Sequence, residues 1–190
     1  MGGRSKQKGA QFEREVCRRL SSWITQGARE DLFWRSAMSG GRATLAARRG
    51  KQLDAQAGDI SAVDPAGGPL IATFFVECKF YSQVDLESWI YSGKGNLRGW
   101  WTVAEEQARQ FKKAVLLIVK GNNRPALILT NSLESLLHTY RDLWRAWLKP
   151  NVFAFLLDEV LAAPASEVIL PPRKAPPPRE GRRVHLFPDS

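Results

Sequence analysis

Apolar residues change their period several times along the chain, and each change marks an element. From Gln11 to Ile24 the residues Phe12, Val16, Leu20, Trp23 and Ile24 recur at helical spacing, with Glu13, Arg14 and Arg18 on other faces. That is an amphipathic helix whose stripe packs on a sheet. Leu32 to Ala37 reads as a short strand running into a Ser39-Gly40-Gly41 loop. Ile60, Ala62 and Val63 suit another short strand, Asp64-Pro65-Ala66-Gly67-Gly68 is dense in turn formers, and Leu70 to Phe80 is rich in β-branched and aromatic residues. The expectation is a hairpin that brings Asp59 roughly opposite Glu77, with the two-residue side-chain period placing Glu77 and Lys79 on one face.

Farther along, Trp100 to Phe111 reads as a helix turning Val103, Ala104, Ala108 and Phe111 inward, and Ala114 to Val119 as a buried strand. Gly121-Asn122-Asn123 turns into Ala126 to Leu129, a second expected hairpin. Ser132 is a credible N-cap for a helix bearing Leu133, Leu136, Leu137, Tyr140, Leu143, Trp144 and Trp147, ended by Pro150, and Phe153 to Ala162 reads as a further apolar helix. The pattern predicts an α/β fold, a mixed central sheet with flanking helices, followed by a helical C-terminal extension. Its expected organisation is a flexible basic segment at 1–10, a core at 11–131 carrying a basic insertion at 40–57, helices at 132–163, and a disordered Pro- and Arg-rich tail at 164–190.

The chain has 190 residues, 44% of them hydrophobic, which suits one domain with a proper core plus a tail. No apolar run approaches the roughly 20 residues of a membrane span, and no signal-peptide core is visible, so a cytoplasmic protein, or one acting inside a host cell, is expected. Cys17 and Cys78 are too few and too differently placed for a disulfide framework and read as reduced packing residues. His138 and His185 are isolated, which supports neither a zinc site nor a histidine nuclease, and no Gly-rich phosphate loop with a lysine offers nucleotide binding. The formal charge of +9 favours a polyanionic partner, with nucleic acid ahead of membranes and other acidic surfaces.

Chemistry concentrates between Gly58 and Lys79. Carboxylates are hard oxygen donors for Mg²⁺, which takes one or two of them and keeps waters that substrate phosphates can replace. A neighbouring lysine can position or help deprotonate an attacking water. Asp59 together with Glu77-Cys78-Lys79 resembles the motif of the PD-(D/E)xK nuclease superfamily, with Gly58 where the motif's proline stands. The resemblance implies a restriction-endonuclease-like core and a Mg²⁺ ion, or Mn²⁺ in its place, held by Asp59, Glu77 and the Cys78 carbonyl. Lys79 would orient the water.

The opening of the first helix, Lys8-Gly9-Ala10-Gln11-Phe12-Glu13-Arg14-Glu15, is similar to that of the archaeal-type Holliday-junction resolvases, a branch of the same superfamily. This resemblance adds Glu13 to the metal site and gives Arg14 a supporting role. It also makes Arg35, Ser36 and Ser39 candidates for phosphate contact, since an arginine fork binds phosphate oxygens bidentately. Lys8 belongs to a basic segment able to reach along a phosphate backbone. Arg42, Arg48, Arg49 and Lys51 charge the insertion, which is either a DNA-holding arm or a decorated surface loop. Tyr81 to Gly99, with Trp89, Tyr91, Lys94 and Arg98, reads as a DNA-facing loop or a dimer surface, and Gln107 matches an auxiliary glutamine of some relatives. What the resemblance implies is a homodimeric, metal-dependent endonuclease cutting four-way DNA junctions in recombination or replication, with a phage-encoded member of the family as one expectation. A duplex- or flap-cutting nuclease of the same superfamily and a non-catalytic nucleic-acid binder are the alternatives.

Overall fold

The computed structural model describes residues 2–36, 58–132, 145–149 and 152–168. Its first element, α1 (Gly2–Ile24), is longer than the sequence pattern suggests. The segment expected to be flexible at 1–10 is therefore helical from Gly2 onward. Once the packed stripe of Phe12, Val16, Leu20 and Trp23 has nucleated the helix, each added residue costs little, and Gly9 meets nothing that opposes it. β1 (Phe33–Arg35) and β2 (Ile60–Ala62) then pair antiparallel, Phe33 opposite Ala62.

Between β2 and the next strand the expected hairpin does not form. Pro65–Gly67 makes a single 3-10 turn and Gly68–Thr73 the short helix α2, so only Phe74–Tyr81, β3, is strand. Asp64 initiates this departure, its carboxylate accepting the Ala66 N–H at 2.9 Å and an Arg29 hydrogen bond at 2.7 Å. The chain returns to β3 in the parallel sense, with Gly58 bridging Val76. Asp59 thus reaches the neighbourhood of Glu77 by a helical crossover instead of a tight turn.

β3 is followed by α3 (Leu86–Ser92) and α4 (Asn96–Gln110), then by β4 (Ala114–Gly121), which pairs parallel with β3 as a crossover connection requires. β5 (Leu127–Thr130) turns back antiparallel on β4, the hairpin expected at Gly121-Asn122-Asn123. The C-terminal region corrects the helical reading. β6 (Arg145–Lys149) and β7 (Val152–Leu156) are strands, and they complete a five-stranded sheet of order β3-β4-β5-β7-β6. Among the described residues only α5 (Leu157–Ala162) and α6 (Ala165–Val168) follow as helix; 133–144, and the part of the expected tail from 169 to 190, lie outside the described residues. An unbroken apolar run such as Phe153-Ala154-Phe155-Leu156 carries no period, and burial on both faces of a sheet accounts for it.

Two dry layers sandwich the sheet. Phe74, Val76, Cys78, Ile118, Ile128, Phe153 and Phe155 pack against Phe12, Val16 and Leu20 of α1. Phe75, Val115, Leu117, Leu129 and Ala154 pack on the other side against Trp89, Leu97, Trp101, Ala104 and Ala108. Trp89 is therefore core, because α3 folds what read as a loop onto the sheet, and Val103, expected inside, is exposed. No helix among the described residues is long and apolar enough to cross a membrane.

Candidate active site

β3 organises the site through its alternation. Its even residues face α1, and the odd ones, Phe75, Glu77, Lys79 and Tyr81, share the α4 side. Two ring contacts fix how α4 lies over that row. Phe111 stacks on Phe75 at one end, centroids 6.1 Å apart, and Trp100 meets Tyr81 at 4.9 Å at the other. Glu77 and Lys79 stand between these anchors, half-buried and joined as an ion pair. Gln107, half-buried on α4, lies along the helix between the same two rings.

Asp59 is held from three directions by backbone. Its N–H donates to the Val76 carbonyl at 2.8 Å, its own carbonyl accepts the Ser36 N–H at 2.8 Å, and its Oδ2 accepts the Cys78 N–H at 2.9 Å. The last bond uses the residue between Glu77 and Lys79. Gly58 makes this approach possible. It has φ +93°, which proline's ring forbids, and a Cβ there would sit 2.4 Å from the Val76 oxygen. Glycine at the motif's proline position is thus required by this chain's geometry.

From the opposite layer α1 contributes Glu13, which is ion-paired with Arg35 at the end of β1. The ion pairs of Glu13 with Arg35 and of Glu77 with Lys79 engage the neighbouring carboxylates, and Asp59 feels the charges of Glu77, Lys79 and Glu13. Burial, followed by the charge of Glu77, pushes its carboxyl up to about 7, with Glu13 adding in the same direction and the Cys78 amide and Lys79 opposing. Burial alone would pull the Lys79 ammonium down, but the charge and hydrogen bond of Glu77 outweigh it, so Lys79 titrates above its ordinary value and stays charged. Burial, then Glu13, pushes the Cys17 thiol up to about 12, and burial also raises Cys78, so both stay protonated and serve as packing.

The donor chemistry fits a hydrated divalent cation. A buried carboxylate destabilised by a second one nearby gains from a hard cation, and two carboxylates with water are what Mg²⁺ takes. The Cys78 carbonyl adds a third oxygen, since a strand residue points its N–H and C=O to the same edge. Among the described residues no three His, Cys, Asp or Glu side chains stand together as a ready cluster, and Glu13 is ion-paired with Arg35. The oxygens on offer to such an ion would be two side chains and one carbonyl.

Of the other residues singled out in the sequence, Ser36 is buried and enters through its N–H, Lys8 lies over the Phe80 ring at 5.8 Å, and Arg14 is exposed on α1. Ser39, Arg42, Arg48, Arg49 and Lys51 lie outside the described residues. Sequence reasoning missed the contact of Trp100 with Tyr81. The two-residue step from Lys79 to Tyr81 was the available signal. A groove of about 550 Å³ between α1 and α5, lined by Arg18, Ser22, Trp23, Glu30 and Leu161, includes none of Glu13, Asp59 and Glu77 and is separate from this site.

Compared with known proteins, the chain matches a family model described as "Phage putative PDDEXK endonuclease" over residues 4–154. That span runs from the first turns of α1 into β7, so it includes Glu13, Asp59, Glu77 and Lys79 and the strands that carry them. No curated protein and no solved structure matches.

Proposed function

The chain belongs to the phage PDDEXK endonuclease family, and on that premise we propose that it hydrolyses phosphodiester bonds at four-way DNA junctions, as a homodimer in the host cytoplasm. Asp59, Glu77 and the Cys78 carbonyl would hold Mg²⁺ or Mn²⁺, and Glu13, now paired with Arg35, would be a further carboxylate for it. When bound, the ion supplies positive charge to the phosphate and lowers the pKa of a coordinated water. The observation that carries this reading is the Asp59 carboxyl, fixed by the amide of Cys78 and pushed up to about 7 beside Glu77.

The side chains have separate tasks. Lys79, kept charged by Glu77, orients the attacking water and stabilises charge developing on the phosphate. Arg35 leaves Glu13 for the phosphate on which its planar fork can bind bidentately. Lys8 and Arg14, exposed on α1, run along the DNA backbone, and the basic residues 42–51 hold an arm of the junction. A two-fold dimer supplies two equivalent sites for the two strands that resolution must cut.

Incubating the protein and its Lys79→Ala and Glu77→Ala variants with a labelled four-way junction and a matched linear duplex, with Mg²⁺ and with EDTA, tests the reading. Paired nicks confined to the junction and lost in both variants are expected. Equal cutting of the duplex would replace junction resolution by general endonuclease activity, and binding without metal-dependent cutting would leave a nucleic-acid binder.

A further inference from the structure

Two ring pairs tie α4 to the odd-numbered row of β3, and they differ in geometry and exposure. Phe75 and Phe111 lie nearly parallel, at 17°, and Phe75 is only 3% exposed. Tyr81 and Trp100 are tilted at 49°, and Tyr81 is 52% exposed. The first pair closes the core. The second is a tilted pair at the end of β3, with about half of Tyr81 exposed and Trp100 resting partly on the core.

Its position is what gives this pair a role. Tyr81 stands two residues beyond Lys79 on the same face of β3, about 7 Å along the strand. Stacked nucleotides rise about 3.4 Å each along one strand, so a DNA strand whose phosphate lies at Lys79 brings a base one or two nucleotides away to the tyrosine ring. The approach is basic. From Lys94 to Trp100 the chain carries Lys94 and Arg98 and no acid, and both cations are exposed, with the Arg98 guanidinium held at the surface by the Gly93 carbonyl.

We propose that Tyr81 and Trp100 form a stacking shelf for an unpaired DNA base beside the cleavage centre, so that the preferred substrate has unstacked nucleotides next to the scissile phosphate. This rests on the nuclease reading above and adds the substrate feature that the site selects. Aromatic rings stack on any base, and a base inside a continuous duplex is already stacked on its neighbours and cannot reach the shelf. Gaps, flaps and the crossover point of a junction expose such bases.

The test uses the full chain in EDTA, where no cutting interferes. A duplex carrying 2-aminopurine is compared with the same duplex gapped opposite that base, reading affinity by anisotropy and stacking by quenching of the 2-aminopurine. Tyr81→Leu should weaken gapped-DNA binding roughly tenfold and remove the quench, with duplex binding little changed, whereas Tyr81→Phe should keep both. Trp100→Leu, checked for an unchanged melting transition, should repeat the Tyr81→Leu pattern. Absence of a quench with the parent protein, or a Tyr81→Leu loss equal on gapped and continuous DNA, overturns the shelf. Because these readings need no catalysis, parent protein that fails to cut with Mg²⁺ sinks the nuclease reading alone. Normal cutting with an unaltered quench in Tyr81→Leu sinks the shelf alone.

Discussion

Two aspartates bracket β2, Asp59 entering it and Asp64 leaving it, and the fold treats them in opposite ways. Asp64 accepts the Ala66 N–H and an Arg29 hydrogen bond at the surface, and those partners, the amide first, hold its carboxyl below the usual range. Asp59 also accepts a backbone N–H, yet burial and Glu77 push it up to about 7. One hydrogen bond cannot offset the loss of water around a charge when a second negative charge stands nearby. Asp64 is complete with the protein's own groups, and Asp59 is complete only with a cation or a proton. That separates a carboxylate that builds the turn from one that the fold holds away from its ordinary charge.

The largest expected effect comes from removing the charge of Asp59 without its shape. Asp59→Asn keeps an oxygen for the Cys78 N–H, and metal-dependent cleavage in a single-turnover assay should fall by at least about 100-fold. In chelator at pH 8 the same variant should melt higher than the parent, since a buried charge has gone. A lower melting point there would contradict the account of Asp59. Next, Gly58→Ala strains a positive φ and drives a Cβ into the Val76 carbonyl. Denaturant unfolding should register a loss of about 3 kcal/mol, the scale of a backbone strained at a special φ.

The pH dependence sharpens the comparison further. Unfolded Asp59 ionises near 3.8, while the folded chain holds that proton to about 7, so this group favours the native state below its unfolded value and loses that advantage as pH rises through about 7. Asp64 acts on the other side. Its folded value is depressed, so its contribution is present above 3.8 and is lost as pH falls through the lower folded value. Melting curves in chelator should therefore fall between about pH 4 and 7 in the parent and flatten there in Asp59→Asn. The smallest effect belongs to Asp64→Ala, which should lower the melting temperature slightly, remove part of the acid-side loss and leave cleavage intact.

What could be read of the candidate site was read from register: Glu77 and Lys79 are two apart on a strand, Asp59 precedes an apolar strand, and Glu13 opens the packed stripe of α1. In the fold Glu77 and Lys79 form an ion pair, Glu13 pairs with Arg35, and Asp59 lies close enough to Glu77, Lys79 and Glu13 to feel their charges. The path between Asp59 and β3 was not legible. Pro69-Leu70-Ile71-Ala72-Thr73 has strand-forming residues, and what makes it helical is the turn that Asp64 and Pro65 set and the burial of Leu70 and Ile71. The same ambiguity governed the C-terminus, where Val152–Leu156 is aperiodic because both faces are covered, Phe153 and Phe155 on one side and Ala154 on the other. Trp89 looked like a loop residue among polar neighbours, and only the Gly93 αL cap with the Asp85 N-cap reveals the short helix that buries it.

The amide of Cys78 gives the middle letter of Glu77-Cys78-Lys79 a grammar of its own. Its side chain answers only to the dry layer under α1, so Val, Ala or Cys should be interchangeable there across related sequences, with cysteine free to vanish. Its N–H answers to Asp59, so proline is the one residue that this position can never spell, and the carboxylate contributed from outside the strand is indexed to Glu77 and Lys79 inside it through a single peptide group.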